Sequence, residues 1–305
     1  MNQHPPQISI IIPVYNRAAM LDESLGRALR QKDQALEIIV VDDGSTDNTR
    51  EVVMKHAQRG PVRYIFQENK ERGAARNLGG SVATGMFLNF FDSDDIMLDN
   101  HISAAWTFIL NNRDVQFFHT CYQVADMNGT VLSEERGASS ANTKRRLIST
   151  NYLACNSVFV QRDLFLTNPF NEDRQMASSE DWELWLRLAS RTQLMRCSAI
   201  TFQIRNHANR SLETISTEQV ITRDTKMLKY LLADQPFVAT FRRYLRIFEA
   251  DRYTFFALLS IVNLKNVAES KAYLWRALKT TPAVCLRKRF WATWRHVLNY
   301  SRKFN

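Results

Sequence analysis

The stretch Phe87-Leu88-Asn89-Phe90-Phe91-Asp92-Ser93-Asp94-Asp95 places a short apolar run directly before three carboxylates. Strands that are buried on both faces of a sheet have such uninterrupted apolar runs, and ligands of open α/β sheets bind beyond the carboxyl ends of the strands. Neighbouring acids repel one another unless a cation or a hydrogen-bonding ligand joins them, and hard oxygen ligands suit Mg²⁺ or Mn²⁺. The stretch therefore indicates either a metal site or an acidic loop in which Asp94 or Asp99 caps the next helix.

Three earlier segments predict strands of the same sheet. Apolar, mostly β-branched runs lie at 8–14, 37–41 and 63–66, and a helix rich in small residues, which permits close approach of a backbone or ligand, is predicted from residue 73. Strands that alternate with helices in this way predict a parallel, doubly wound sheet. Asp42 and Asp43 end the second run, so we expect two acidic strand ends to meet at one edge of the sheet and converge on one ligand.

The composition indicates a globular protein. The chain has 305 residues, 45% of them hydrophobic, and no apolar run reaches the roughly 18–20 residues that span a bilayer. The polar N-terminus lacks the apolar core of a signal peptide, so we expect a cytoplasmic protein. The cysteines form no CxxC pair and indicate neither a zinc site nor a disulfide framework; they are Cys121, Cys155, Cys197 and Cys285.

The positive charge of the chain is concentrated at its C-terminal end. From Lys271 onward there are nine Lys and Arg and no Asp or Glu, which equals the whole net charge of +9. Several aromatic residues accompany these cations, including Trp275, Trp291 and Trp294. A basic, aromatic, amphipathic segment suits an anionic membrane surface. The alternative is a terminal helical cap that packs its aromatic residues on the domain. No nucleic-acid-binding motif accompanies the charge, so nucleic acid is not an expected partner.

Two common nucleotide-binding motifs are absent from the sequence. No GxGxxG follows the first predicted strand, which argues against a dinucleotide-dependent oxidoreductase, and no GxxxxGK[ST] occurs, which argues against a P-loop ATPase.

Four blocks of the first hundred residues together resemble family 2 glycosyltransferases of the GT-A fold. The blocks are Ser9-Ile10-Ile11-Ile12-Pro13-Val14-Tyr15-Asn16-Arg17, Ile39-Val40-Val41-Asp42-Asp43-Gly44-Ser45-Thr46-Asp47, Gly73-Ala74-Ala75-Arg76-Asn77 and Phe91-Asp92-Ser93-Asp94-Asp95. The resemblance implies an α/β fold of GT-A type, with a mostly parallel nucleotide-binding sheet flanked by helices. We expect this domain over residues 1–215 and a helical, basic extension over 216–305.

The resemblance also implies roles for individual residues. Asp94 would hold Mg²⁺ or Mn²⁺. The residues expected at the nucleotide are Pro13, Val14, Tyr15, Asn16, Asp43, Arg76, Asp92 and Ser93.

The second half of the chain adds an acidic motif, Glu180-Asp181-Trp182. A helix that begins here, with Ser178 or Ser179 as its N-cap and the acids favouring its dipole, would explain the carboxylates without chemistry. The resemblance implies instead that Asp181 is the catalytic base. It further implies His207 as a second metal ligand, Arg210 or Arg205 as a partner of the diphosphate, and Asp95 and Glu180 as additional site candidates.

Residues 133–148 are polar and predict a mobile loop over the site. Its basic triplet, Lys144-Arg145-Arg146, fits either a solvated helix start or a contact to an acceptor or a phosphate.

The expected function is transfer of a sugar from a nucleotide-diphosphate donor to a hydroxyl of a saccharide or glycolipid, with inversion at the anomeric carbon. Uridine is the commonest base in the family, and the absence of QxxRW and of membrane spans indicates addition of a single sugar. The setting expected from the resemblance is cell-surface polysaccharide, lipopolysaccharide or glycolipid synthesis, in the cytoplasm or at the inner face of the membrane. Two alternatives are a metal-dependent nucleotidyltransferase and a non-catalytic, membrane-associated nucleotide-sugar-binding protein.

Overall fold

The computed structural model describes residues 7–31, 36–138, 142–206 and 216–304. The chain divides into two compact units, Met1–Arg210 and Ser211–Asn305. The domain boundary predicted at residue 215 falls at the edge of a stretch outside the described residues and stays a prediction.

Four parallel strands form the N-terminal half of the sheet in the first unit. The strands and the helices that follow them are β1 (Ile8–Val14), α1 (Ala18–Ala28), β2 (Leu36–Asp42), α2 (Thr49–Ala57), β3 (Val62–Phe66), α3 (Arg72–Val82) and β4 (Phe87–Phe90). Their spatial order is β3-β2-β1-β4, with Ile11 of β1 opposite Ile39 on one side and Phe90 on the other. The predicted parallel sheet is confirmed here, and both acidic strand ends lie at the same edge.

The sheet becomes mixed beyond β4. The later elements are β5 (Ile96–Met97), α4 (His101–Asn111), β6 (Phe117–Ala125), β7 (Val131–Glu135), α5 (Thr143–Ser149), β8 (Val158–Gln161), α6 (Arg162–Leu166), α7 (Glu180–Arg191) and β9 (Leu194–Arg205). Strand β8 pairs antiparallel with β4, the order continues β8-β6-β9-β5, and β7 extends the sheet beside β6. A turn at Asn128-Gly129 joins β6 to β7, and Gly129 has the left-handed φ of 85° that favours glycine.

One prediction about local structure in this half is wrong. The stretch 133–148 is not one loop, because β7 extends to Glu135 and α5 begins at Thr143. Lys144 and Arg145 are exposed on α5, whereas Arg146 donates to Glu135 Oε2 at 2.6 Å. Strand β8 begins at Val158, directly after a 3-10 turn formed by Cys155–Ser157.

Each face of the parallel sheet is buried by helices. Ile10 and Ile12 belong to a buried cluster with Leu21 and Leu25 of α1. On the opposite face α3 lies so close that a Cβ on Gly79 would come within 2.4 Å of Ile11 Cγ2. The small residues of α3 therefore permit this close packing, as its sequence indicated.

The second unit contains four α-helices among the described residues: α8 (Thr217–Ala233), α9 (Gln235–Val262), α10 (Val267–Thr280) and α11 (Lys288–Phe304). A 3-10 helix, Pro282–Leu286, lies between α10 and α11. Helices α9, α10 and α11 share a core that includes Ala257, Leu274, Phe290 and Val297. Arg252 of α9 donates to Asp224 of α8 at 3.3 Å, and both side chains are buried. The predicted helical extension is confirmed. Within the described ranges, none of the helices is both long and apolar enough to cross a membrane.

Candidate active site

The carboxylates that end β2 hold two neighbouring loops in place. Asp42 accepts hydrogen bonds from the backbone N of Ser45 and from the Tyr64 hydroxyl, both at 2.8 Å. Asp43 Oδ1 accepts from Gln67 Nε2 at 2.6 Å and from the backbone N of Lys70 at 2.8 Å. Both aspartates are buried. The Asp43 carboxylate is therefore fixed at the sheet edge rather than free in solvent.

The residues that follow β1 lie beside Asp43. The backbone N of Asp43 donates to the carbonyl of Val14 at 2.9 Å, which joins the two strand ends directly. Asn16 has a left-handed φ of 50°, donates its backbone N to Ser45 Oγ at 2.9 Å and accepts from the backbone N of Thr46 at 2.7 Å. Tyr15 leaves its ring 48% exposed. The residues expected around the nucleotide base thus lie at one edge, with an aromatic ring in solvent.

Asn156 organises the acidic turn after β4. Its Oδ1 accepts from the backbone N of Asp92 at 2.8 Å, and its Nδ2 donates to Asp95 Oδ2 at 2.7 Å. Asp95 Oδ1 also accepts from the backbone N of Arg205 at 3.0 Å. Asp95 and the preceding Ser93 are buried. Asp95 therefore ties the turn to β9, and Asn156, which sequence reasoning missed, fixes the backbone of Asp92.

A buried polar network supports Asn156 from below the turn. Asn89 of β4 donates to the carbonyls of Asn156 at 3.0 Å and Val158 at 2.9 Å, and its Oδ1 contacts His101 Nε2 at 3.1 Å. Burial lowers the pKa of His101 to about 3, so the imidazole is neutral at ordinary pH. This uncharged contact fixes Asn89 without adding a positive charge beneath the acids.

Asp94 contacts a cation that the protein itself supplies. Its Oδ2 accepts from the guanidinium of Arg17, in the turn between β1 and α1. The alternative in which Asp94 or Asp99 caps the next helix is wrong, because α4 begins at His101 and Asn100 occupies its N-cap position.

The donor set at Asp94 fits a divalent ion that arrives with phosphate. Mg²⁺ in enzymes commonly takes one or two carboxylates and completes its shell with substrate phosphates and water. The Asp94 side chain is 15% exposed, so a ligand can reach it. Within the described ranges no group of three or more His, Cys, Asp or Glu side chains is arranged to hold a metal. The ion would therefore depend on Asp94 and on the phosphates of a bound nucleotide.

Arg76 joins the two acidic regions of the first unit. Its Nη2 donates to Asp92 Oδ1 at 2.8 Å and its Nη1 donates to Glu180 Oε1 at 2.7 Å. The Arg76 side chain is only 2% exposed, and its guanidinium lies 5.3 Å from the centre of the Phe170 ring. Arg76 was expected at the nucleotide; in the structure its terminal nitrogens contact these carboxylates. It therefore links the turn after β4 to the start of α7.

Asp181 lies next to this link, in the first turn of α7. Its Oδ1 accepts from the backbone N of Trp182 at 2.6 Å and its Oδ2 accepts from Asn151 Nδ2 at 3.2 Å. Burial and the negative charge of Glu180 raise the pKa of Asp181 to about 6, against the opposing effect of Arg76. Such a carboxylate is ionised at neutral pH and still basic enough to accept a proton.

The pKa of Asp92, at the other end of the link, is shifted in the opposite direction. Burial tends to raise its pKa, but the positive charges of Arg76, Arg72 and Arg17 outweigh burial and lower it. Asp92 therefore stays ionised near pH 6, the range in which Asp181 titrates.

Three loops that border these residues contain left-handed backbone at non-glycine positions: Asn16, Glu71 and Ser178. Such conformations cost about 1–3 kcal/mol each and persist where the surrounding structure requires them.

Ser179 is the N-cap of α7 but makes no side-chain capping bond, and Glu180 is bound to Arg76. The helix start at Ser179 and its acidic first turn are therefore as the helix-cap alternative predicted, and the buried ion pair of Glu180 with Arg76 is a contact that this alternative does not include.

Two of the predicted site residues lie outside the part of the chain that the structure describes, and a third contacts another side chain. His207 and Arg210 are outside the described residues. Arg205 donates to Glu23 of α1 at 2.8 Å, so its guanidinium is already paired.

The fold and the site define a class of protein, the glycosyltransferases of the GT-A fold. The chain is similar to the crystal structure of S. aureus TarS 1–349 in complex with UDP-GlcNAc, with a TM-score of 0.73, 19% identity, and coverage of 97% of this chain and 89% of that one. It is also similar to the mannosyltransferase PcManGT of Pyrobaculum calidifontis, in complex with GDP-Man and Mn²⁺, with a TM-score of 0.61, 17% identity and coverage of 99% and 87%.

Sequence comparison identifies the family. The model described as glycosyl transferase family 2 matches residues 9–166, and the chain belongs to that family. An Escherichia coli relative, the UDP-Glc:alpha-D-GlcNAc-diphosphoundecaprenol beta-1,3-glucosyltransferase WfgD, is 30% identical over 59% of this chain and 69% of its own length. An uncharacterized glycosyltransferase of Rickettsia felis is 34% identical over 63% of this chain but only 31% of its own length. The chain thus spans about a third of the Rickettsia relative.

Proposed function

We propose that the chain transfers a sugar from a UDP-sugar to a hydroxyl of a lipid-diphosphate-linked saccharide, with inversion at the anomeric carbon and with Mg²⁺ or Mn²⁺. The observation that carries this proposal is the Arg76 link, in which one buried guanidinium contacts Asp92 on the donor side and Glu180 beside the candidate base. Carboxylates 88 positions apart in sequence are therefore held on one side chain, as a reaction between two bound substrates requires.

The donor class rests on the β1 and β2 ends. The exposed ring of Tyr15 offers a stacking surface for a base, and the fixed carboxylate of Asp43 offers an acceptor for a base N–H. TarS was crystallised with UDP-GlcNAc, and the name of WfgD states UDP-Glc as donor. Both names favour uridine over other bases.

The acceptor class rests on one relative. The name of WfgD states a diphosphoundecaprenol-linked GlcNAc as acceptor and a beta linkage as product. A lipid-linked acceptor would place the reaction at the inner face of a membrane, in the synthesis of a cell-surface polysaccharide, lipopolysaccharide or glycolipid.

The chemistry assigned to the residues is a single displacement. Asp181 takes the proton of the acceptor hydroxyl while the oxygen of that hydroxyl forms a bond to the anomeric carbon, on the face opposite the diphosphate. The bond from that carbon to the phosphate oxygen breaks, and the nucleoside diphosphate leaves with the electron pair. Asp94 would hold the divalent ion, which supplies positive charge to the leaving diphosphate. Asp43 and Asp92 orient the donor, and Arg76 keeps Asp92 ionised and in place.

A panel of nucleotide sugars tests this proposal in two stages. We expect UDP-sugars to raise the melting temperature in Mn²⁺ and to do so less in EDTA. Incubation with a lipid-diphosphate-linked saccharide should then release UDP and yield a longer saccharide with an inverted linkage. Release of pyrophosphate would support the nucleotidyltransferase instead. Donor binding without hydrolysis or transfer on any lipid-linked acceptor would support the non-catalytic alternative.

A further inference from the structure

Helix α11 has one face buried and one face in solvent. Phe290, Thr293 and Val297 are buried, and two of them belong to the core of the second unit. Because side chains three and four positions apart share a side of a helix, the opposite side carries a second set of residues. These exposed residues are Lys288, Trp291, Arg295 and Leu298. Together with Leu286, which lies just before the helix, we call them the α11 outer face.

The α11 outer face combines large apolar side chains with cations. Leu286 is 87% exposed and Trp291 is 54% exposed. Trp291 Nε1 donates to the carbonyl of Cys285 at 2.7 Å, which ties the indole ring to the residue that directly precedes Leu286. Burial of the opposite side fixes the helix on its own unit, so these residues are presented as a rigid surface. Exposing such residues together is unfavourable in water and commonly marks an interaction site.

The charge of this region selects the partner. No Asp or Glu occurs from Lys271 to the end of the chain, whereas nine Lys and Arg do. Two copies of such a surface would repel each other. Nucleic acid would use the cations but not an aliphatic side chain as exposed as Leu286. Anionic lipids use both, because headgroups attract cations and the interface accepts Trp and Leu.

We propose that the α11 outer face binds an anionic lipid bilayer, with Leu286 and Trp291 in the interface and Lys288 and Arg295 at the headgroups. The inference stands apart from the transfer reaction, since it concerns the second unit alone and is measured without a donor or an acceptor.

The test is flotation of the full chain with vesicles of phosphatidylcholine and with vesicles that also contain phosphatidylglycerol. We expect binding to the anionic vesicles that weakens in high salt, and little binding to the neutral ones. The double variant Lys288→Gln/Arg295→Gln should bind about thirtyfold more weakly, at roughly fivefold for each cation. The double variant Leu286→Ser/Trp291→Ser should bind at least about tenfold more weakly than the parent.

Matched variants in the first unit serve as controls. Met54→Ser/Leu110→Ser removes two apolar side chains that are each about half exposed, and Lys55→Gln/Arg59→Gln removes two exposed cations. Both controls should bind as the parent does, and circular dichroism should show that every variant is folded. The proposal is overturned if the parent does not float with anionic vesicles, or if the outer-face and control variants lose binding equally. The proposal is also overturned if light scattering shows that the parent is a dimer and that Leu286→Ser/Trp291→Ser is a monomer. The face would then be an interface between two copies of the chain.

Discussion

Asp92 and Asp181 lie on the two sides of the Arg76–Glu180 link and respond to it in opposite ways. Asp92 contacts the guanidinium directly, and three arginines lower its pKa. Asp181 follows Glu180, the other partner of the same guanidinium, and burial together with the charge of Glu180 raises the pKa of Asp181 to about 6, although Arg76 lowers it. When neighbouring carboxylates have pKa values pushed apart, their environments assign different chemical roles. The comparison therefore favours a permanently ionised Asp92 and a proton-accepting Asp181.

Replacement of Asp181, the proposed base, should have the largest effect. We expect Asp181→Asn to lower kcat by about 10²–10⁴, because an amide cannot accept the acceptor proton. The measurement is the rate of UDP release with the acceptor saturating. Asp163→Asn, a variant at an 85% exposed side chain of the same unit, is the matched control and should retain the parent rate. A kcat within tenfold of the parent would contradict the role given to Asp181.

Removal of the link leaves Asp92 and Glu180 without their shared cation. We expect Arg76→Met to lower the free energy of unfolding by about 3–5 kcal/mol, as breaking a buried ion pair does. Adding Glu180→Gln should recover part of that loss, because one uncompensated charge is then removed. Urea unfolding of the parent, the single variants and the double variant measures the coupling, and exposed Arg63→Met serves as a control. If Arg76→Met lowers the free energy of unfolding by no more than Arg63→Met does, the link does not stabilise the fold.

The raised pKa of Asp181 predicts a pH dependence with a defined sign. Below about pH 6 the carboxyl is protonated, so kcat should fall about tenfold for each further pH unit. Since the folded pKa exceeds the unfolded value, ionisation of Asp181 destabilises the native state above about pH 6 and costs nothing below about pH 4. Asp181→Asn should therefore unfold at higher urea than the parent near pH 8 and at the same urea near pH 4. A constant difference across this range would contradict the predicted titration.

The smallest expected effect concerns Arg17. Its guanidinium contacts an oxygen of Asp94, so it would compete with the proposed divalent ion for that carboxylate. We expect Arg17→Gln to tighten Mn²⁺ binding in the presence of UDP by about two- to fivefold, in line with the modest strength of partly exposed ion pairs. Electron paramagnetic resonance of free Mn²⁺ measures this without turnover. Weaker Mn²⁺ binding in the variant would mean that Arg17 contacts the nucleotide instead of competing for Asp94.

The placement of the candidate donor-binding residues could be predicted from the sequence because the signals for it are local. Strands β1, β2 and β4 are continuous apolar runs, and the acids that follow β2 and β4 reach one sheet edge by parallel topology alone. Neither Asp43 nor Asp92 needs a distant residue to bring it there.

The parts that sequence reasoning missed depend on long-range contacts. Asn156 acts on a turn 64 positions earlier, and nothing near Asn156 in sequence distinguishes it from a surface asparagine. The burial of Arg76 follows from carboxylates at positions 92 and 180, which only the tertiary fold brings together. Strand β5 has two residues, too few for any periodicity.

Calorimetric titration of UDP with Mn²⁺ into Asp94→Asn and Asp181→Asn tests the division of roles most directly. Loss of a contact to a charged group is worth about 1.5–3 kcal/mol, so Asp94→Asn should weaken UDP binding roughly ten- to a hundredfold. Asp181→Asn should bind UDP within about twofold of the parent, because its carboxylate is assigned to the acceptor and not to the nucleotide. Equal weakening in both variants, or weakening in Asp181→Asn alone, would contradict the account.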